Sequence, residues 1–528
     1  MVDARRAGAV AGALAGLVVV LLGFLFRPLA LLPDLPTLLT DRALDLTPGP
    51  VFGFLIDHLQ YAGRPLLATV ILLGEIGALA LVGSCIAPLL ARRTAVSPVL
   101  QPSQHSRHQA TSYHLLPMVI VTAVVLWLAF GLVVIPLAGG GLFGATTPWG
   151  TGTIAVGYLI EALAYATLCC SVTAWLLRRA TERSEDGLMG ADPMRRHLVI
   201  GTGIASVGFL GIRAFRRYQA EQAPQLADTN GRVHVPPLTP YVTPTAAFYI
   251  VAKNMQEITP SIEGWRLTVS GLVARERQWS YEELTALPSV DQYRTLACIS
   301  NNVGGPLMSN ALWRGLPLRT LLDDAGLDPA AAFVLFRSLD GYTESLPLAH
   351  ALDASTLIAY QMNGAPLNAK HGYPARLLLA GRYGIKNPKW LTEMTVTRTD
   401  DPGFWEHHGW SEEGIVRTTA RIDTPTSGIT LPVQPLTIGG PAYAGDRGIQ
   451  TVHVSITPGL DWTEAAVEPA PAPATWLIWS YTWQPPAPGT YRIQARATDS
   501  AGSVQEAQPE PSFPKGAAGL HTMTVHIR

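Results

Sequence analysis

Four stretches of this chain are long and apolar enough to cross a bilayer: Ala7 to Phe26, Leu66 to Leu90, Leu115 to Gly139 and Thr153 to Leu177. Each holds roughly 20 or more residues, and at about 1.5 Å of rise per residue that length covers a ~30 Å hydrocarbon core. All four are therefore expected as membrane helices. A fifth stretch, "HLVIGTGIASVGFLGI" from His197 to Ile212, is shorter and Gly-rich and is expected as one more helix. The 528-residue chain is 48% hydrophobic and 15% charged, and most of that imbalance sits in its N-terminal part. A formal net charge of -1 leaves no basic face to neutralise phosphates, so nucleic acid is excluded as a partner.

Arginines set the orientation of the spans. Arg5 and Arg6 precede the first, Arg92, Arg93 and Arg107 follow the second, and Arg178, Arg179, Arg183, Arg195 and Arg196 separate the fourth from the fifth. These segments are expected in the cytoplasm, because the alternate loops carry far fewer positive charges. Five spans then place everything after about Ile212 outside, against the run Arg213, Arg216 and Arg217; without the fifth span that part is cytoplasmic. The Arg195-Arg196 pair before a short apolar run is similar to a twin-arginine export signal, although the positive-inside rule alone also accounts for it.

Three further regions follow the membrane region, 1–217. A Pro-rich, aperiodic linker covers 218–244. Short strand candidates ("AFYIVAK", "WRLTVSGLV", "AAFVLFRSL", "ARLLLAG", "KWLTEMTVTR") and brief helices ("SYEELTAL", "PLRTLLDDAG") without a βαβ rhythm make 245–421 an α+β domain. In 422–528, "IQTVHVSITPG", "TWLIWSYTWQPP", "GTYRIQARATDSAG" and "HTMTVHIR" alternate apolar and polar residues between turn signals. That region is expected as an all-β immunoglobulin-like sandwich with Trp476, Trp479 and Trp483 in its core.

Of the four cysteines, Cys85, Cys169 and Cys170 fall within expected spans, which leaves Cys298 alone in the long C-terminal part. A lone cysteine is ordinarily a small buried hydrophobe. The neighbours in "RTLACISNNVGG" are mostly polar or glycine, and that setting suits a soft thiolate ligand for a transition metal. A second concentration, "NAKHGYPARLLLAGRYGIKNPKWL", gathers Lys370, His371, Arg376, Arg382, Lys386 and Lys389 around Gly and Pro turns. It is either a solvated loop or a cradle for phosphate. The adjacent His407 and His408 lack the spacing of a shared helical face and make poor metal ligands.

Together "TLACISNN", "ALWRGLPLRTLL" and "GYTESLPLAHALDASTLIAYQMNGAPLNAKHGYPARLLLAGRYGIKNPKWL" resemble the molybdopterin-binding domain of the sulfite oxidase family, over about Thr245 to Arg421. The sandwich is similar to that family's C-terminal dimerisation domain. The resemblance implies molybdenum with molybdopterin as cofactor and Cys298 as the metal ligand. It also implies that His371 and Arg376 hold the pterin and its phosphate, with Gly384, Ile385, Lys386 and Lys389 beside them. Tyr249, Lys253 and Asn254 match a segment lying along the pterin, with a plain edge strand as the competing reading. Trp410 stands where the family's active-site tyrosine is expected, which makes it a catalytic candidate beside Cys298.

One departure bears on substrate. Animal and plant sulfite oxidases continue the cysteine loop into basic residues, whereas Asn301, Asn302 and Val303 follow here, so sulfite is a poor fit. No haem-binding domain is recognised, and electrons are expected to pass through another protein or the membrane part. Glu75 and Glu161 lie within spans and mark either a redox or proton site or a partner contact, while His58 and His114 only flank spans.

The function expected is a membrane-anchored, extracytoplasmic molybdenum oxidoreductase. It would move an oxygen atom to or from a small sulfoxide, N-oxide or sulfite-like substrate, with an unidentified electron-transfer partner and a homodimer through the C-terminal domain. The competing class is a non-catalytic cell-surface binding protein on the same scaffold, which would have no need of Cys298, His371, Arg376 and Lys386 together.

Overall fold

The computed structural model describes residues 2–26, 35–51, 54–55, 63–94, 104–145, 150–185, 238–254, 258 and 260–528. The expected fifth span and the Arg195-Arg196 pair lie outside these residues. The chain divides into two compact units, Met1–Leu46 with Tyr61–Arg217, and Thr47–Gln60 with Tyr218–Arg528.

The first unit is helical. Among the described residues four helices contain windows long and apolar enough to cross a membrane: Ala4–Leu21, Leu66–Arg92, Leu115–Leu137 and Thr151–Leu177. They coincide with the four expected spans. Another helix, Leu35–Leu46, occupies the connection after the first, which the charge pattern treats as loop. Helices Val2–Phe26 and Gly63–Thr94 touch backbone to backbone: a Cβ on Gly8 would collide with the Gly83 carbonyl, and one on Gly12 would stand 2.5 Å from the Leu79 oxygen. Glycines at Gly8, Gly12 and Gly83 permit that approach. The Tyr165 hydroxyl donates to the same Leu79 carbonyl (2.5 Å) and ties in helix Gly150–Glu185.

In the second unit, residues 245–421 build two sheets. One runs Arg277–Trp279, Leu267–Gly271, Leu391–Thr397, Phe333–Ser338, Thr343–Pro347, with a single parallel pairing between Leu267–Gly271 and Leu391–Thr397. The other runs Val290–Ala297, Met308–Pro317, Leu357–Met362, Ala365–Pro366, with Arg376–Leu378 also paired to Leu357–Met362. Local signals explain the short helices between them. Ser280 opens helix Tyr281–Ala286 with a capping box, its Oγ accepting from the Glu283 N–H (3.2 Å) while the Glu283 carboxylate accepts from the Ser280 N–H (2.8 Å). Helix Leu318–Ala325 buries Leu318, Leu321, Leu322 and Ala325, the i, i+3, i+4, i+7 stripe of a core-facing helix. These side chains join Trp265, Phe336 and Met394 in one core between the sheets.

The segment "AFYIVAK" is not the expected strand. It forms a turn, Thr245–Ala247, followed by unpaired extended chain. The Phe248 ring stands edge-on to Trp313 (5.6 Å) and His371 (5.4 Å), so side-chain packing fixes this segment instead of a ladder.

Residues 419–527 form two more sheets, in the orders Thr419–Ala420, Leu436–Tyr443, Leu477–Trp483, Ala466–Val467 and Thr430–Leu431, His521–Ile527, Gly489–Asp499, Ile449–Ser455, Thr463–Glu464. Ile438, Trp479 and Trp483 from one sheet and Val452, Ile493 and Val525 from the other share a core. Trp476 departs from expectation. It is buried outside that core, its Nε1–H donating to the Tyr241 carbonyl (2.8 Å) and its backbone N–H to Thr295 Oγ1 (2.8 Å). The Tyr443 hydroxyl donates to the Thr295 carbonyl (3.0 Å). The β-rich C-terminal region thus braces strand Val290–Ala297, and Cys298 follows directly from that strand's end.

Candidate active site

Cys298 is buried, 7% exposed, and belongs to no disulfide. Its backbone N–H donates to the Leu307 carbonyl (2.9 Å), and its Sγ lies 3.1 Å from Ser300 Oγ. The Asn301 side chain closes the loop on itself, Oδ1 accepting from the Leu307 N–H (2.9 Å). A sulfur is thereby held at the end of a braced strand, and it borders two cavities.

The larger cavity is an open cleft of ≈ 680 Å³. It brings together most of the residues singled out in the sequence: Tyr249, Lys253, Cys298, His371, Arg376, Gly384, Ile385 and Lys389 all line it. Tyr249 is half-buried beside Cys298, and desolvation of its hydroxyl together with that neighbour pushes it above the usual tyrosine range. Gly384 leaves the space: a Cβ there would meet the Tyr249 hydroxyl at 3.0 Å. Burial pulls the His371 imidazole below its ordinary range, so it is neutral. Its Nε2 stands 3.0 Å from the Thr245 carbonyl, which makes Nε2 the donor and leaves Nδ1 as acceptor. Lys389 Nζ donates to the carbonyls of Val251 and Lys370, both at 3.0 Å, and Lys253 Nζ sits over the Phe404 ring at 4.8 Å.

Arg376 is the decisive group. It is 5% exposed, and burial lowers its pKa to about 10. Its Nη1 and Nη2 donate to the carbonyls of His371 (3.0 Å) and Asn387 (3.3 Å), and its ring-facing side covers Trp313 at 5.2 Å. Among the described residues its buried Nε–H has no hydrogen-bond partner and no carboxylate pairs with it. Isolated buried cations are costly, so a guanidinium held this way fits an anionic ligand in the cleft.

Three expected residues are placed elsewhere. Lys386 does not line the cleft: its buried ammonium donates to Glu344 Oε1 (2.6 Å), the Ser345 carbonyl (3.2 Å) and Glu406 Oε1. Burial alone would lower its pKa, but the two carboxylates outweigh it and the net shift is upward. Trp410 is absent from both cavity walls, and its ring packs edge-on against Phe513 at 5.2 Å. Asn254 lies behind the cleft, its amide donating to the Asp340 carbonyl (3.4 Å). Among the described residues no three His, Cys, Asp or Glu side chains converge on a metal position. His408 Nδ1 is instead 2.7 Å from the Phe404 carbonyl. A metal here would rely on the Cys298 thiolate with ligands brought by a cofactor.

The cleft also contains residues that sequence reasoning passed over. Tyr342 lines it, donating to the Ile385 carbonyl (2.6 Å), and Asp340, Trp390 and Trp405 complete the wall. Burial raises the Asp340 carboxyl while Lys253 and Lys389 oppose the rise. The phrase "DGYTE" holds Asp340 and Tyr342 and its turn residues carry no chemical signature by themselves, while Trp390 and Trp405 sit in "NPKWL" and "GFWEHH", where nothing local marks a ring that faces a cleft.

A family model described as "Oxidoreductase molybdopterin binding domain" matches residues 254–405. Sulfite oxidase of Arabidopsis thaliana is 26% identical over 330 residues, 50% of this chain and 82% of its own. The oxidoreductase YuiH of Bacillus subtilis is 30% identical over 188 residues, 36% of this chain and 90% of its own. The putative protein-methionine-sulfoxide reductase subunit YedZ1 of Azospira oryzae is 35% identical over 147 residues, 28% of this chain and 54% of its own.

Proposed function

Since this chain belongs to the sulfite oxidase family of molybdopterin-dependent oxidoreductases, we propose that it is a membrane-anchored, extracytoplasmic enzyme moving an oxygen atom to or from a small substrate, with reduction of a sulfoxide as the favoured direction. Its cofactor is molybdenum with molybdopterin. The observation that carries the reading is the Arg376 guanidinium, which keeps a spare Nε–H and meets no carboxylate among the described residues, in the same cleft as Cys298. A thiolate at one place and an anion seat at another suit a metal bound through a phosphorylated organic ligand.

The residues divide the work. Cys298 Sγ supplies the one protein ligand to the metal. Arg376 offers Nε–H and its charge to the cofactor phosphate, and neutral His371 offers an acceptor at Nδ1. Lys389 and Lys253 add positive charge at the rim, while Tyr249 and the bare backbone of Gly384 shape the cleft floor. The cofactor, when bound, supplies two-electron redox chemistry. In the favoured direction a sulfoxide takes up two electrons and two protons, its oxygen leaves as water and a thioether remains; the electrons come from a redox partner. Support for that direction comes from the likeness to the Azospira subunit.

Four apolar helices of spanning length support the membrane anchor. The twin-arginine route for the Arg195-Arg196 segment, an immunoglobulin-like identity for the C-terminal sandwich and dimerisation through it belong to the same proposal.

The test begins with molybdenum and pterin content of full-length protein from a cofactor-competent host, followed by reduction of methyl sulfoxides with a reduced viologen as donor. Molybdenum near one equivalent with sulfoxide-dependent dye oxidation is the expected result. Cys298→Ser should keep the fold and lose turnover; full activity in that variant, or protein without pterin, refutes the assignment. A reporter fused at the C-terminus checks the topology, a cytoplasmic signal contradicting it.

A further inference from the structure

The second cavity lies on the other flank of Cys298, walled by Asn302, Val303, Met308, Tyr383, Thr418 and Gly519 among others. It is an open recess of ≈ 400 Å³, solvent included, where residues 297–308 meet the segments 416–419 and 517–519. The wall is mixed: hydroxyls and amides beside Val303, Met308 and Val416. Among the described residues that wall it, Arg417 is the only one with a permanent charge.

That charge is already engaged. Arg417 Nη2 lies 2.6 Å from Glu510 Oε2, with the side chains 25% and 47% exposed. The arginine is anchored at its backbone, where its N–H donates to the Tyr383 hydroxyl (3.2 Å). The glutamate is anchored too. Its N–H donates to the Ala518 carbonyl (3.1 Å) and its carbonyl accepts from the Ala518 N–H (3.2 Å), in the segment that forms the far wall. A half-exposed ion pair contributes little stability. Its effect on the field next to Cys298 is larger, because a guanidinium is the group that grips oxyanions and here its charge is cancelled.

The geometry points to Glu510 as a specificity-determining residue: by occupying Arg417 it makes the cavity beside Cys298 a seat for an uncharged, partly apolar substrate such as a methyl sulfoxide, and turns oxyanions away. This rests on the sulfoxide reading above and gives it a physical reason. Discrimination works by leaving the wrong ligand's charge without a partner. Asn301 cannot compensate, since its side chain is committed to the loop.

The test uses the full chain in detergent, titrated with sodium sulfate at low ionic strength and followed by calorimetry. Glu510→Gln frees a guanidinium for a charge-assisted bond and should bind sulfate about tenfold more tightly than the parent. The gain should vanish in the Arg417→Met/Glu510→Gln double variant. Equal sulfate affinity in parent and Glu510→Gln overturns the proposal, and so does a gain that persists without Arg417, because the anion then sits elsewhere. Should Glu510→Gln fail to fold, Glu510→Ala carries the same comparison. Sulfate binding needs neither metal nor turnover. Its failure leaves the sulfoxide reading standing, whereas sulfate binding as expected in a chain that reduces no sulfoxide sinks that reading alone.

Discussion

Arg376 and Lys386 stand in one segment, both basic and both buried, at 5% and 4% exposure. Lys386 is met by two carboxylates and a carbonyl, Arg376 by two carbonyls and a spare donor. One cation is neutralised within the protein, and the other keeps a spare donor that the proposed function assigns to a ligand. The pairing, not the charge, distinguishes the two. Lys386 ties the short turn Gly384–Lys386 to strand Thr343–Pro347 and to the turn Phe404–His407, and so positions the cleft wall from behind.

The sharpest break of this comparison comes from the cofactor. Arg376→Met should strip most molybdopterin from purified protein while the cofactor-free fold survives; unchanged pterin content would mean the spare donor serves nothing. Lys386→Met should do the opposite. It removes the cation shared by the buried side chains of Glu344 and Glu406, which costs about 3–5 kcal/mol of stability in cofactor-free protein. A melting temperature equal to the parent's would show that the carboxylates are not held by Lys386.

A smaller effect concerns Glu344. Burial, with the Glu406 charge adding to it and Lys386 opposing, raises its pKa from 4.5 to about 8. The folded state then keeps a proton that the unfolded chain has lost. The resulting stability is full below about pH 4.5 and is lost as pH rises through about 8. Lys386, raised above its ordinary 10.5, titrates outside that window. Glu344→Gln should flatten the decline of melting temperature between those limits, and an equally steep decline in the variant would contradict the shift. The smallest effect is expected at Trp410. Its Nε1 has no hydrogen-bond partner among the described residues, so Trp410→Phe leaves no polar group stranded and should scarcely change turnover. A collapse in turnover would restore it to the reacting centre.

Particular residues show where sequence reading worked. The capping box at Ser280 and Glu283 and the stripe from Leu318 to Ala325 are local patterns, and each became the helix expected. The strands Val290–Ala297 and Met308–Pro317 escaped notice. Their burial runs on consecutive residues at Arg294 to Ala297 and Met308 to Ala311, so the period-two alternation that marks a half-buried strand is missing. The polar neighbours of Cys298 set it apart from an ordinary buried cysteine, and the structure places it at the edge of both cavities. Trp410 is singled out by a motif position, and its ring packs against Phe513 away from both cavity walls.

The four long apolar helices, the short capped helices and the alternating strands of the C-terminal sheets are legible in the sequence, because length, capping and periodicity act over a few neighbouring residues. Only the tertiary structure decided which cations are available. Lys386 meets Glu344 and Glu406 across 42 and 20 residues of chain, and Arg417 is engaged by a glutamate carried on a later segment. Charge is a property of the residue, but its neutralisation depends on distance in space, and no local pattern encodes which carboxylate will fold back to provide it.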